Sequence, residues 1–350
     1  MTTWVRDVYD VEGRLTRARP SRVDEIVEGW VTPGLVDVHA HLGYGPRGIT
    51  PVETAVLDGR SCVSVGILDV RDCGVPARAN DALTTMPGLP RIIRCGQHLA
   101  RPKRYIRGLG LDLDDPADLP AAVAEQARAS DGWVKIVGDW IDRSGGREAV
   151  LRPLWEDAVL CDAVAAAHEA GARVAVHTFS HRTIDALLTA GVDSIEHGTG
   201  MSREHMDEAK RAGIAVTPTL LQVGLFADFA AQAGEKYPRY RDEMAAMHAS
   251  ARAHFEELVD SCVTLLPGTD SGGYQRFGSL ADELARWAEW GCPPERIVEA
   301  ATWGVRQFLG LDVLAEGRGA DYVVYSSDPT LDAGVFARPA WVVIGGRRLR

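Results

Sequence analysis

The chain has 350 residues, with 49 Asp plus Glu against 38 Lys plus Arg, giving a formal net charge of −11 at pH 7. That length allows one large domain with a small appendage, or two modest domains. An acidic chain without a basic run is a poor partner for nucleic acid or an anionic membrane surface.

In chain order, the start (Met1 to Asp7) lacks the basic segment and apolar run of a signal peptide. No later stretch approaches the roughly 20 apolar residues that span a bilayer. Residues 1–30 alternate short apolar and polar pieces, and the first strand reads as Gly34 to His41 (GLVDVHAH). A repeated unit follows: a polar helical stretch, then a short β-branched apolar run. Pro51 to Val63 precedes Val65 to Val70; Ala163 to Gly171 precedes Arg173 to His177. Thr183 to Gly191 precedes Val192 to His197, and Glu204 to Gly213 precedes Ile214 to Thr217. Gly closes the last three of these helices, and Val and Ile fill the strands. The last such run is Val263 to Asp270, and residues 318–350 hold strands Tyr322 to Tyr325 and Trp341 to Ile344.

Helix and strand units alternating in this way predict parallel strands buried on both faces. No GxGxxG turn opens the first unit, so a dinucleotide fold has no support. The expected architecture is α/β: a (β/α)8 TIM-type barrel over residues 32–317, with a small β-sheet domain built from residues 1–31 and 318–350. The six cysteines form no CxxC pair and read as reduced thiols of a cytoplasmic protein.

Functional side chains of such a barrel project from the C-terminal ends of its strands. His39 and His41 alternate onto one side of the first strand end, where two imidazoles can grip a divalent cation; two loop histidines would read the same. His177 and His197 each end an apolar run, and Asp270 ends the last one. Asp270 could instead cap a helix, but beside four upstream histidines a carboxylate can bind metal and take a proton. Lys135 interrupts the apolar run Trp133 to Val137. A desolvated lysine loses basicity, and its neutral amine can add CO2 to give a carbamate that bridges two cations; a salt-bridged strand-end lysine is the alternative. His168, His205, His248 and His254 lie in helical stretches and read as surface or packing residues. His98 and His181 lie in expected loops within reach of substrate.

Taken together, the motifs resemble the amidohydrolase superfamily, most of all the branch with imidazolonepropionase-like proteins and Xaa-Pro and Xaa-Arg dipeptidases. The stretches that carry the likeness are PGLVDVHAHL from Pro33, VRDCG from Val70, VKI from Val134, Val176-His177, GVDSIEHGT from Gly191, TPTL from Thr217, GTDS from Gly268 and GRGAD from Gly317. The resemblance implies two divalent ions, with zinc the expected metal. It places His39, His41 and Asp270 on one ion and His177 and His197 on the other, with N6-carboxylated Lys135 as the bridge. It also implies that a hydroxide held between the ions attacks an amide or peptide bond and that Asp270 is the general acid and base. The chain departs from dipeptidase relatives at His177-Thr-Phe-Ser-His181 and in the loop from Gly96 to Arg107.

The basic loop Arg101 to Arg107 suits a substrate carboxylate, as in a dipeptide or N-acyl amino acid. Arg104, Tyr105, His98, His181 and Trp140 are the expected substrate residues. The loop around Trp140 and the segment from Phe226 to Arg241 are expected covers. Hydrolysis of a cyclic amide, carbamate or lactone, a mononuclear imidazolone or deaminase-type reaction, and a non-catalytic barrel are the competing readings. Against deamination, Ser180 stands where deaminase relatives carry Glu. The expected partner is a small-molecule substrate, with no nucleic acid and no membrane, and a homo-oligomer is compatible with the sequence.

Overall fold

The computed structural model describes residues 9–349. Eight parallel strands form the wall of a TIM-type barrel. They are β1 (Leu35–Ala40), β2 (Ile67–Asp72), β3 (Arg91–Arg94), β4 (Trp133–Val137), β5 (Arg173–Thr178), β6 (Ser194–His197), β7 (Ala215–Thr217) and β8 (Thr264–Leu265). Hydrogen bonding orders β1, β2 and β3 in one sheet, and β4 through β8 in a second. The gap between β8 and β1 is bridged by Val38 N–H donating to Pro267 carbonyl (3.0 Å) and Asp270 N–H donating to His39 carbonyl (2.7 Å). At the other gap, Asp131 N–H donates to Arg94 carbonyl (2.9 Å). The short strand Leu99–Ala100 meets β4 there, with Leu99 opposite Ile136.

Every residue of β1, β2 and β4 is buried, as expected of strands covered by helices outside and side chains within. Gly and Ser set the helix ends. Ser180 accepts a hydrogen bond from Arg182 N–H to open His181–Ala190, and Gly191 closes that helix at φ 71°. Ser202 and His205 form a reciprocal cap on Arg203–Ala212. His205 therefore packs at a helix start, and half-buried His254 bonds the Met201 carbonyl.

The last barrel strand is shorter than the run Val263 to Asp270 suggests: only Thr264–Leu265 is strand. The remainder bends across the mouth, where Asp37 accepts from Thr269 N–H (3.1 Å) and Thr269 hydroxyl (2.7 Å). Burial pushes the Asp37 carboxyl up to about 6. Outside the barrel, Trp30–Pro33 pairs with Tyr322–Tyr325 in a four-stranded antiparallel sheet completed by Trp341–Ile344 and Arg347–Arg348. This first strand crosses the expected boundary between residues 31 and 32 and leads directly into β1. The hairpin Tyr9–Val11 with Arg14–Thr16 adjoins the sheet through Leu15 N–H to Arg318 carbonyl (3.0 Å). Residues 1–8 and 350 lie outside the described residues.

Gly268 lets the chain pass close to β1. A Cβ there would sit 2.7 Å from His39 Cβ and 2.7 Å from Thr217 Cγ2. Gly268→Ala is therefore expected to lose about 1–3 kcal/mol of stability through overpacking. A lowered urea midpoint checks this; an unchanged midpoint means the seam has slack.

Candidate metal centre

The barrel mouth gathers residues that are far apart in sequence. β1 supplies His39 and, one residue past its end, His41; β4 supplies Lys135; β5 and β6 supply His177 and His197. Asp270 follows the bend after β8. His39, His41, Lys135, His177 and His197 are all buried at 3% exposure or less.

One group is a trio. Asp270 Oδ1 lies 3.3 Å from His39 Nε2 and 3.2 Å from His41 Nε2. The ligand atoms of these three residues fall within 4.8 Å of one another, the spacing of donors around one ion. A second group is a pair, with His177 Nδ1 2.9 Å from His197 Nε2. Lys135 stands beside the trio, its Nζ 3.5 Å from His39 Nε2.

The other ring nitrogens fix these orientations. His41 Nδ1–H donates to the Gly74 carbonyl at 2.7 Å, which turns Nε2 toward Asp270. His197 Nδ1 bonds the Thr219 hydroxyl at 2.7 Å, and His39 Nδ1 sits 2.8 Å from Glu196 Oε2. Partners of this kind hold a ligating imidazole in one tautomer and one direction. His197 (φ 68°), Asp270 (φ 56°) and Thr219 (φ 44°) all occupy the left-handed backbone region. Such strain in non-glycine residues gathers at functional sites, and here it turns side chains inward at strand ends.

The electrostatics suit a cation. Burial, reinforced by His197, holds the His177 pKa well below its ordinary value, and burial does the same for His197. Both rings are therefore neutral, the form that binds metal. Burial opposes ionisation of Asp270, yet the facing imidazoles keep its pKa well below the usual carboxylate range. Burial also favours neutral His41, but Asp270 carries that ring up to about 9. The trio thus draws positive charge toward the carboxylate. The neutral rings of His177 and His197, the imidazoles of His39 and His41, an anionic carboxylate and a buried amine form a donor set that fits divalent ions.

Behind the trio lies a buried ion pair. Arg71 Nη2 bonds Glu196 Oε1 at 2.6 Å, and its Nε–H donates to the Val38 carbonyl at 2.7 Å. The guanidinium also stacks on Trp133, 4.5 Å from the ring centre. Burial would raise the Glu196 carboxyl, but Arg71 and then Lys135 hold its pKa well below the ordinary range. Sequence reading assigned neither residue a role, although each is a charge inside an apolar strand, the same signal that exposed Lys135.

The expected substrate residues separate. Tyr105 and Trp140 line the cavity beside the centre, together with His41, His177 and Asp270. His98 is buried behind that wall, its ring 5.8 Å from His41 and 5.0 Å from Tyr105. Arg104 corrects the expectation of a carboxylate anchor: its guanidinium bonds the carbonyls of Trp140 and Arg152 and stands 3.6 Å from Asp142. His181 is also corrected. It is the exposed first residue of a helix rather than a loop residue, and it bonds the Gly200 carbonyl beside a separate groove. Of the expected covers, Trp140 sits in the hairpin Asp139–Ile141 and Leu151–Pro153, while helices Phe226–Ala233 and Pro238–Ser261 enclose the cavity from above β7.

Comparison with known proteins agrees with the architecture. The amidohydrolase family profile matches residues 30–348, and the chain belongs to that family of hydrolytic enzymes acting on C–N bonds. A Mycobacterium tuberculosis protein described as "Uncharacterized protein Rv2915c" is 41% identical over 341 residues, covering 97% of this chain and 91% of its own. Two solved structures share the fold. A Xaa-Pro dipeptidase with bound methionine has a TM-score of 0.76 at 24% identity, covering 91% of this chain and 86% of its own. A prolidase complexed with N-methylphosphonate-L-proline has a TM-score of 0.80 at 21% identity, covering 98% and 94%. Among the described residues, no helix is long and apolar enough to cross a membrane.

Removing one member of a buried ion pair strands the other charge. Glu196→Ala is expected to cost about 3–5 kcal/mol, read as a lowered urea midpoint of chelator-treated protein. A change under about 1 kcal/mol would mean that Arg71 finds another partner.

Proposed function

We propose that this protein hydrolyses the amide bond of a dipeptide or N-acyl amino acid with two divalent ions, zinc being the expected metal. His39, His41 and Asp270 would hold one ion and His177 and His197 the other, with Lys135 carboxylated on Nζ as the bridge. The observation that supports this most is the convergence of ligand atoms: Asp270 Oδ1 between two Nε2 atoms, and His177 Nδ1 facing His197 Nε2 at 2.9 Å. The printed names of the two structural relatives, a Xaa-Pro dipeptidase and a prolidase, point to the same bond class.

When bound, the ions supply an activated water and polarise the scissile carbonyl. Asp270, anionic and half turned to the cavity, accepts the proton of the attacking water. It then returns that proton to the departing amine nitrogen as the C–N bond breaks. Glu196 keeps His39 aimed by its contact at Nδ1, and the Gly74 carbonyl does the same for His41. Lys135 is buried, and its Nζ stands 3.5 Å from His39 Nε2, beside the atoms it would bridge to once carboxylated.

Metal analysis of zinc-loaded protein is expected to find two ions per chain; one would favour the mononuclear aminohydrolase and none a non-catalytic barrel. On a dipeptide and N-acyl amino acid library, Asp270→Asn and His177→Ala should lose at least about a thousandfold in kcat while circular dichroism stays native. Near-normal turnover by Asp270→Asn would overturn the acid–base role. Lys135→Ala should lose activity and recover part of it with short carboxylic acids, which supply the missing oxygens. Failure of that rescue would remove the bridge from the scheme.

A further inference from the structure

The cavity beside the centre has a composition that the basic loop of Arg101 to Arg107 does not suggest. It measures about 250 Å3, small against the roughly 300–1,000 Å3 of drug-sized pockets. Six of its residues are Tyr105, Trp140, Phe179, Phe229, Tyr240 and Tyr274. The rings meet edge to face: Tyr105 lies 4.8 Å from Trp140, and Phe229 lies 5.3 Å from Tyr274. The first pair runs directly into the centre, since Trp140 is 5.5 Å and Tyr105 5.3 Å from His177, and Phe179 is 4.4 Å from the same ring.

The polar part of the lining is sparse. Among the described residues, Arg143 is the one arginine or lysine on the wall and Asp270 the one carboxylate. A basic side chain bound here meets no acid apart from Asp270. Gln222 is 6% exposed, lines the cavity, and leaves Oε1 without a hydrogen-bond partner. Trp140 Nε1 is likewise unpaired. Buried polar atoms without partners call for explanation, and an amide answers both, its N–H to Gln222 and its carbonyl to Trp140.

We propose that this cavity selects amides bearing an aromatic ring next to the scissile bond, with a free carboxylate reached by Arg143. The inference rests on the hydrolase reading above and narrows its substrate class. Aromatic walls favour a ring over an aliphatic chain because edge-to-face contacts add to burial. The same walls would attract an organic cation, but Arg143 opposes one. Gln222 and Trp140 fix the amide, and Arg143 supplies the counter-charge that Arg104, bound to backbone carbonyls, does not.

Two measurements on zinc-loaded protein test this. The first is kcat/KM for N-acetyl-L-phenylalanine, phenylacetylglycine, N-acetyl-L-alanine and N-acetyl-L-lysine, which places the ring on either side of the bond. At least one aromatic compound is expected to exceed the alanine and lysine compounds by about tenfold or more. The second is calorimetric binding of L-phenylalanine and phenylacetate against L-alanine and acetate, which needs no turnover. At least one aromatic ligand should bind about tenfold tighter than its aliphatic counterpart, and Phe229→Ala or Trp140→Ala should shrink that ratio to within about threefold. Phe229 is only partly buried, so its variant keeps the test open if Trp140→Ala does not fold. Equal binding of the aromatic and aliphatic ligands overturns the aromatic selection whatever the activity. Aromatic preference in binding with no hydrolysis of any amide overturns the hydrolase reading and leaves the cavity assignment standing.

Discussion

The ion pair between Arg71 and Glu196 is the constraint on which the site depends. Both side chains are fully buried, and their contact at 2.6 Å lies inside the barrel. Two charges taken from water cost several kcal/mol each, and only tight geometry with further hydrogen bonds offsets that cost. The geometry here is shared by four strands. Arg71 comes from β2, bonds a β1 carbonyl and stacks on Trp133 of β4, while Glu196 stands on β6. The second oxygen of Glu196 then reaches His39. Scaffold and site are therefore one electrostatic unit, and the aim of a first-strand imidazole is set by charges buried beneath it.

Much of this architecture could be read in advance because strand and helix signals agreed. Val and Ile runs became β2, β5 and β6 to within two residues, and Gly191 and Gly213 stopped helices in the left-handed conformation. The strand-end histidines were legible because a polar side chain ending an apolar run has few purely structural uses. The last strand was less so: Pro267 and Gly268 turn the chain after two strand residues, and Asp270 is delivered by a bend.

Substrate recognition was hardest to read, for a physical reason. Charged loop residues stand out in a sequence, but their neighbours decide their use. Arg104 faces two backbone carbonyls and Asp142, so its charge is already employed in the hairpin that carries Trp140. The aromatic wall comes instead from separate segments: Tyr105 after β3, Trp140 after β4, Phe179 after β5, and Phe229 and Tyr240 in helices after β7. No single stretch is rich enough in aromatics to announce the cavity. Glu196 is masked differently, since it adjoins His197 on the same strand and a strand-end histidine carries the stronger metal signal.

The antiparallel sheet outside the barrel carries a consequence for how the chain comes to be made. Trp30 is opposite Tyr325, and Pro33 opposite Tyr322, so the strand that feeds β1 has its sheet neighbour almost three hundred residues downstream. During synthesis, that neighbour leaves the ribosome only after the whole barrel has emerged. The segment carrying the two earliest histidines must therefore wait, partly unsupported, until translation is nearly finished. Contacts of such sequence separation are slow to close, because the loop entropy is spent before the pairing rewards it.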